Sequence, residues 1–162
     1  MSGSDPRDTI WKHIETIGTC MLTTHDGEHV GARPMRCIPR QEQNAIWFIT
    51  DADAEREAAM ARHPAACLGF ADLRGQNFVS VSGTIGRVDD PAKLAELWNE
   101  GAGVYFPKGP DDPSVALLKF SPLKGEYWDA PSNPIVLAIK FLQAKVTEER
   151  PDLGEHAATH LT

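Results

Sequence analysis

The chain has 162 residues, 41% of them hydrophobic and 24% charged, with a formal charge of −7. That is about one domain, long enough to bury roughly 70% of its unfolded surface without disulfides or a structural metal, and its composition excludes disorder. The longest apolar run, Ile135 to Ile139, is far short of the ~20 residues that cross a bilayer, and the acidic balance argues against a partner with a nucleic-acid backbone.

The opening MSGSDPRD carries no charged-then-apolar leader pattern, so a cytoplasmic protein is expected. A helix is predicted from about Pro6 to Ile17, capped by Asp5, with Ile10, Trp11, Ile14 and Ile17 on one face and Gly18 as its end. Cys20 to Thr24 reads as a strand and His25-Asp26-Gly27-Glu28 as a hairpin turn. The next extended segment, His29 to Pro39, contains Pro34, which places it at a sheet edge or bulge because proline has no N–H to pair. Ala45 to Thr50 is a strongly β-forming run. Asp53 then caps a helix, Ala54 to His63, that stops before Pro64.

Ala66 to Phe70 and Asn77 to Val88 follow as strands, with Gly83 and Gly86 marking curvature in the second. Asp90-Pro91 opens another helix, and Gly101 to Pro113 reads as a loop. Strands return at Val115 to Phe120 and Glu126 to Asp129. A last helix is expected from Asn133-Pro134 to about Glu148, and Pro151 to Thr162 as a mobile tail. Antiparallel strands with helices at the joints suggest a small barrel. The irregular order, without a G-x-G-x-x-G after a strand, excludes a Rossmann domain.

Cys20, Cys37 and Cys67 form no C-x-x-C pair and sit among apolar neighbours, as small buried hydrophobes do in a reducing compartment. Neither His25 with His29 nor His156 with His160 has the further ligands a zinc site needs, so no metal is expected. Nucleophile templates fail, and Asp89-Asp90 and Asp111-Asp112 read as caps and turns. Arg33, Arg36 and Arg56 suit a phosphate if they converge, but their spacing equally allows solvated surface positions. Trp47 and Trp98 fit a core. Tyr127-Trp128 puts adjacent rings on opposite strand faces, burying one and leaving the other for a partner.

Gly31-Ala32-Arg33-Pro34-Met35, Ile46-Trp47-Phe48-Ile49-Thr50 and Phe78 to Thr84 occur in series, followed by Trp98, Tyr105 to Pro113 and Glu126-Tyr127-Trp128-Asp129. In that order and spacing the chain resembles the general stress protein 26 family, within the pyridoxamine 5′-phosphate oxidase-like superfamily of FMN-binding split barrels. The resemblance covers about residues 7 to 130. It implies a mainly β fold, a six-stranded antiparallel split β-barrel over residues 1–130, with residues 131–162 as a C-terminal helix and tail. It also implies a homodimer holding FMN at its interface.

Arg33 would meet the phosphate or ribityl chain, with Pro34 and Met35 beside it. Trp47, Phe48, Ile49 and Thr50 would lie along the flavin. Arg56 falls where the family has a phosphate-binding lysine, and Asn77 and Phe78 would come from the partner subunit, with Trp128 also counted at the flavin. The family's serine-x-lysine signature reads Ala54-Glu55-Arg56 here, so a hydroxyl is lost and an acid gained, with Arg36 available to compensate. A flavin-dependent oxidoreductase of open substrate is the implied function, a flavin- or phosphate-ligand-binding dimer or a scaffold without cofactor the alternatives. Pyridoxamine phosphate oxidation is not expected, since no second basic phosphate site is legible.

Overall fold

In the computed structural model, residues 4–131, 134–147 and 154–162 are described. Helix α1 (Pro6–Ile17) starts where the Asp5 carboxylate accepts from Arg7 N at 3.0 Å and ends at Gly18, whose φ of 72° only glycine adopts without strain. It buries Ile10, Trp11 and Ile14 against the sheet. Strands β1 (Thr19–His25) and β2 (Val30–Arg36) form the expected hairpin. Its turn is closed by the Asp26 carboxylate, which accepts from Glu28 N at 2.9 Å and His29 N at 2.8 Å.

The segment read as one strand to Pro39 breaks at Cys37, whose N–H turns back to Gly18 O at 2.9 Å. Beyond it lie β3 (Ile38–Arg40) and β4 (Ala45–Asp51), joined through a single 3₁₀ turn. Helix α2 (Ala54–Arg62) follows its Asp53 cap. Strands β5 (Ala65–Asp72) and β6 (Asn77–Arg87) come next, then α3 (Pro91–Leu97). Part of the expected loop is helical: α4 (Glu100–Tyr105) forms because Asn99 accepts from Ala102 N at 2.8 Å and Ala102 and Phe106 are buried. Strand β7 (Val115–Asp129) is continuous where two strands were expected. Pro122 is tolerated inside it because it faces Gly83 next to a bulge in β7, where Leu123 has no partner in β6 and the ladder is already irregular.

Helix α5 (Pro134–Thr147) then leads toward the last strand. The expected starting residue Asn133, the endpoint Glu148 and the first residues of the tail, 151–153, lie outside the described residues. The rest of the tail is built into the sheet. Strand β8 (Glu155–His160) pairs antiparallel with β7, and Leu161 is fully buried. β8 takes the edge of β7 that β4 vacates, since β4 pairs only with Val115 to Phe120 and β8 with Lys124 to Asp129.

Among the described residues the sheet has eight strands, in the order β2-β1-β5-β6-β7-β4-β3 with β8 on β7. The expected six become eight through the break at Cys37 and the ordered tail. Side chains of β1, β4, β5, β6 and β7 meet α1 in one core, so the sheet curls into a half-barrel consistent with a split barrel. The alternate face of β4 and β7 buries Trp47, Val115 and Leu117 under α3. Pro34 sits on β2, an edge strand paired only with β1, as its missing N–H requires. Among the described residues no helix is long and apolar enough to cross a membrane.

Candidate functional site

Arg33 stands directly opposite Leu22 across the hairpin, and opposed residues of an antiparallel pair share a face. Leu22 is fully buried, and Met35 and Cys37, two and four residues on, pack at the core. Arg33 is therefore the charged member of an apolar stripe. Its Nε and Nη2 are shielded from solvent and have no hydrogen-bond partner among the described residues. Burial holds its pKa below the ordinary arginine value, the like charge of Arg56 adds to this, and Asp53 opposes it. The side chain stays charged. A buried cation with unmade bonds is costly unless an anion completes it.

Arg33 lines a cavity of about 380 Å³ between the β1–β2 hairpin and the start of α2, with His25, His29, Asp53, Glu55 and Arg56. The Asp53 carboxylate accepts from Arg56 N at 3.0 Å and pairs with Arg56 Nη2 at 3.1 Å, which holds the second guanidinium at the mouth. The N-terminal end of α2, where a helix favours anions, lines the same cavity, with Arg56 N already taken by the Asp53 carboxylate. Glu55 does line this cavity, whereas Arg36 lines a neighbouring one.

A second cavity, also about 380 Å³, opens on the other side of β2. Pro34, Met35, Ile49 and Thr50 line it beneath α4, which contributes Ala102 and Tyr105. The two cavities share no residue, but consecutive Arg33 and Pro34 line one and the other. Tyr105 is 82% exposed at the rim.

Trp47 and Phe48 do not reach either cavity by their side chains. Phe48 is in the main core, and Trp47 lies under α3, with its Nε1 donating to Gln43 Oε1 at 3.3 Å. Phe78 and Trp128, opposite each other on β6 and β7, line a third cavity of about 480 Å³. Asn77 lies beside it, its Oδ1 accepting from Ala130 N at 3.3 Å. The expected flavin residues thus divide between two regions of one chain. Reading the tail as mobile left out Glu155 and His156, which β8 brings to the third cavity. The one signal in the sequence was Leu161, an apolar residue in a polar stretch. Among the described residues no three His, Cys, Asp or Glu side chains converge as metal ligands.

Comparison with known proteins agrees with this geometry at the level of family and fold. The family model described as pyridoxamine 5′-phosphate oxidase like matches residues 5–152. A solved structure described as a general stress protein 26 from Jannaschia sp. CCS1 is 28% identical, with a TM-score of 0.76, covering 94% of this chain and 96% of that one. A general stress FMN/FAD binding protein from Xanthomonas citri is also 28% identical, with a TM-score of 0.70, covering 81% of this chain and 93% of its own. At 22% identity and a TM-score of 0.69, a general stress protein 26 relative from Clostridium acetobutylicum shares the fold over 76% of this chain and 87% of that one. No curated protein matches the sequence.

Proposed function

The chain belongs to the pyridoxamine 5′-phosphate oxidase-like family, and on that premise we propose that it is a cytoplasmic, FMN-binding stress protein acting as a flavin-dependent oxidoreductase. The observation that carries the reading is the guanidinium of Arg33, buried with unmade hydrogen bonds beside Arg56. Two arginine forks suit the dianion of a terminal phosphate. Similarity to the Xanthomonas citri FMN/FAD binding protein supports a flavin as the bearer of that phosphate.

In this reading Arg33 and Arg56 hold the phosphate, with the N-terminal turn of α2 behind them. Pro34, Met35, Ile49 and Thr50 line the second cavity beside the cradle, together with the charged Arg36 and Asp51, and Trp47 and Phe48 contribute through their backbone only. Phe78 and Trp128 line a different cavity, with Asn77 beside it, and in this reading they meet the flavin held by a second copy of the chain. Bound flavin would supply the electron-transfer chemistry, while the protein orients the reactants and excludes water. Oxidation of pyridoxamine phosphate is not part of the proposal, because the third cavity offers a second phosphate the carboxylates of Asp129 and Glu155.

Asp53 and Glu55 favour one rival reading, a scaffold without cofactor in which these acids neutralise the cradle. Titrating flavin-stripped protein with FMN, read by quenching of flavin fluorescence, separates the two, with a size-exclusion mass measured alongside. Saturation at one FMN per chain of a dimer is expected. A folded protein that leaves FMN fluorescence untouched contradicts the flavin reading.

A further inference from the structure

Helix α5 lies on an excursion from the sheet. Asp129 at the end of β7 pairs with Glu155 at the start of β8, so the chain leaves the sheet and re-enters it at one point. Between them α5 runs for 14 residues, about 21 Å at 1.5 Å per residue. A helix of that length is marginal alone in water and depends on packing of an apolar face. Phe141 turns one side of α5 to the third cavity. On another side Ile139, Leu142 and Val146 follow at helical spacing, and they are 48%, 66% and 84% exposed. Helix α4 carries a second exposed apolar pair, Val104 and Tyr105, beside the second cavity.

The two helices belong to opposite halves of the proposed site. α4 lies over Pro34, Met35, Ile49 and Thr50, whereas α5 adjoins Phe78 and Trp128. One flavin that meets both groups requires the third cavity of one copy to face the second cavity of another. The same closure brings α5 of the first copy to α4 of the second. Charge favours this occupant too: α5 has Lys140 and Lys145 and no acid, on a chain of formal charge −7, so the body of a second copy attracts it. We propose that α5 is an arm that clasps a second copy of the chain, seating Ile139, Leu142 and Val146 on Val104 of the partner subunit and Tyr105 of the partner subunit. Two equivalent clasps form, as a two-fold dimer requires, and each holds α4 down over the flavin. The choice of α4 as the seat rests on the proposed function; the clasp itself is read without flavin.

The test uses the flavin-stripped full chain carrying Val104→Cys and Leu142→Cys, both at exposed helix positions, with Cys67→Ser removing the native thiol that is not buried. Oxidised glutathione should join the new pair, and non-reducing electrophoresis should show a covalent dimer. Chains with either new cysteine alone should stay at single-chain mass. A disulfide within one chain, seen as a faster-running monomer, would put α5 on its own α4 and overturn the proposal. Absence of any link in a protein that melts like wild type would also overturn it. Leu142→Glu, a change a helix surface tolerates, should weaken the dimer about tenfold by size exclusion and speed FMN release about tenfold, whereas Leu142→Met should leave both within twofold. Unchanged dimerisation in Leu142→Glu contradicts the clasp. FMN uptake without a link removes the clasp and leaves the flavin reading standing, and a linked dimer that takes up no FMN does the reverse.

Discussion

Replacing Arg33 by methionine keeps an aliphatic stem on the inner face of the β1–β2 hairpin and removes the guanidinium. With a phosphate in the cradle, that loss removes two charge-assisted hydrogen bonds from Nε and Nη2, each worth about 1.5–3 kcal/mol. The sum is about 3 kcal/mol or more, so FMN affinity should fall roughly 100-fold. Without ligand the sign reverses. The same two N–H groups have no partner, and Arg56 repels the charge, so their removal relieves a cost. Because Arg33 is only half-buried, the net gain is about 1 kcal/mol, or a Tm about 2–4 °C higher for a chain of this size. Calorimetric melts of flavin-stripped wild type and Arg33→Met, with and without FMN, read both effects. A lower ligand-free Tm together with FMN affinity unchanged within twofold would refute the reasoning.

Three further outcomes follow from the same packing and electrostatics. Leu161→Ala should cost about 3 kcal/mol, because Leu161 is fully buried in the main core beside Ile10, and urea unfolding reads the loss; a midpoint unchanged from wild type would return residues 155–161 to a loose tail. Hydrogen bonding with Cys20 and burial hold the Cys37 thiol above its ordinary pKa. At pH about 8, near the ordinary thiol pKa, a disulfide reagent should therefore label Cys67 alone quickly, and the other two cysteines only after denaturation. The Asp26 carboxyl is lowered from 3.8 to about 2, first by the His29 N–H and then by the Glu28 N–H. Its contribution to stability is complete above the unfolded value and lost as pH falls through about 2. Asp26→Ala should therefore flatten that part of the acid limb, and an NMR titration placing the Asp26 midpoint near 4 would contradict the account.

Elements governed by local rules were legible in the sequence. The Asp5 cap with Pro6, the Asp53 cap ahead of Pro64 and the Asp26-Gly27 turn each act within a few residues, and each appears where expected. Elements decided by tertiary pairing were not. Residues 121–125 are not read as strand from the sequence, and they join β7 because its pairing with β6 continues past a bulge at Leu123, opposite Ser82 and Gly83. Residues 155–160 have no strong β propensity, and they become a strand because β7 outruns β4 and leaves an edge to pair. At the site, Arg33 and Arg56 could be suspected from residue type, but nothing in their spacing showed that two nitrogens of one guanidinium are shielded from water without a partner. Trp47 and Phe48 illustrate the converse, since the motif containing them was visible while the burial of both side chains depends on α3 and on the main core.

The central claim is that Arg33 and Arg56 recognise the phosphate of a bound flavin, and the most direct measurement compares FMN with riboflavin on flavin-stripped wild-type protein by calorimetric titration. The two ligands share the ring and ribityl chain and differ in the phosphate. Two arginine contacts predict FMN tighter by roughly 100-fold, with the difference shrinking as salt is raised. Equal affinities for the two, or heat from neither in a folded protein, would contradict the account.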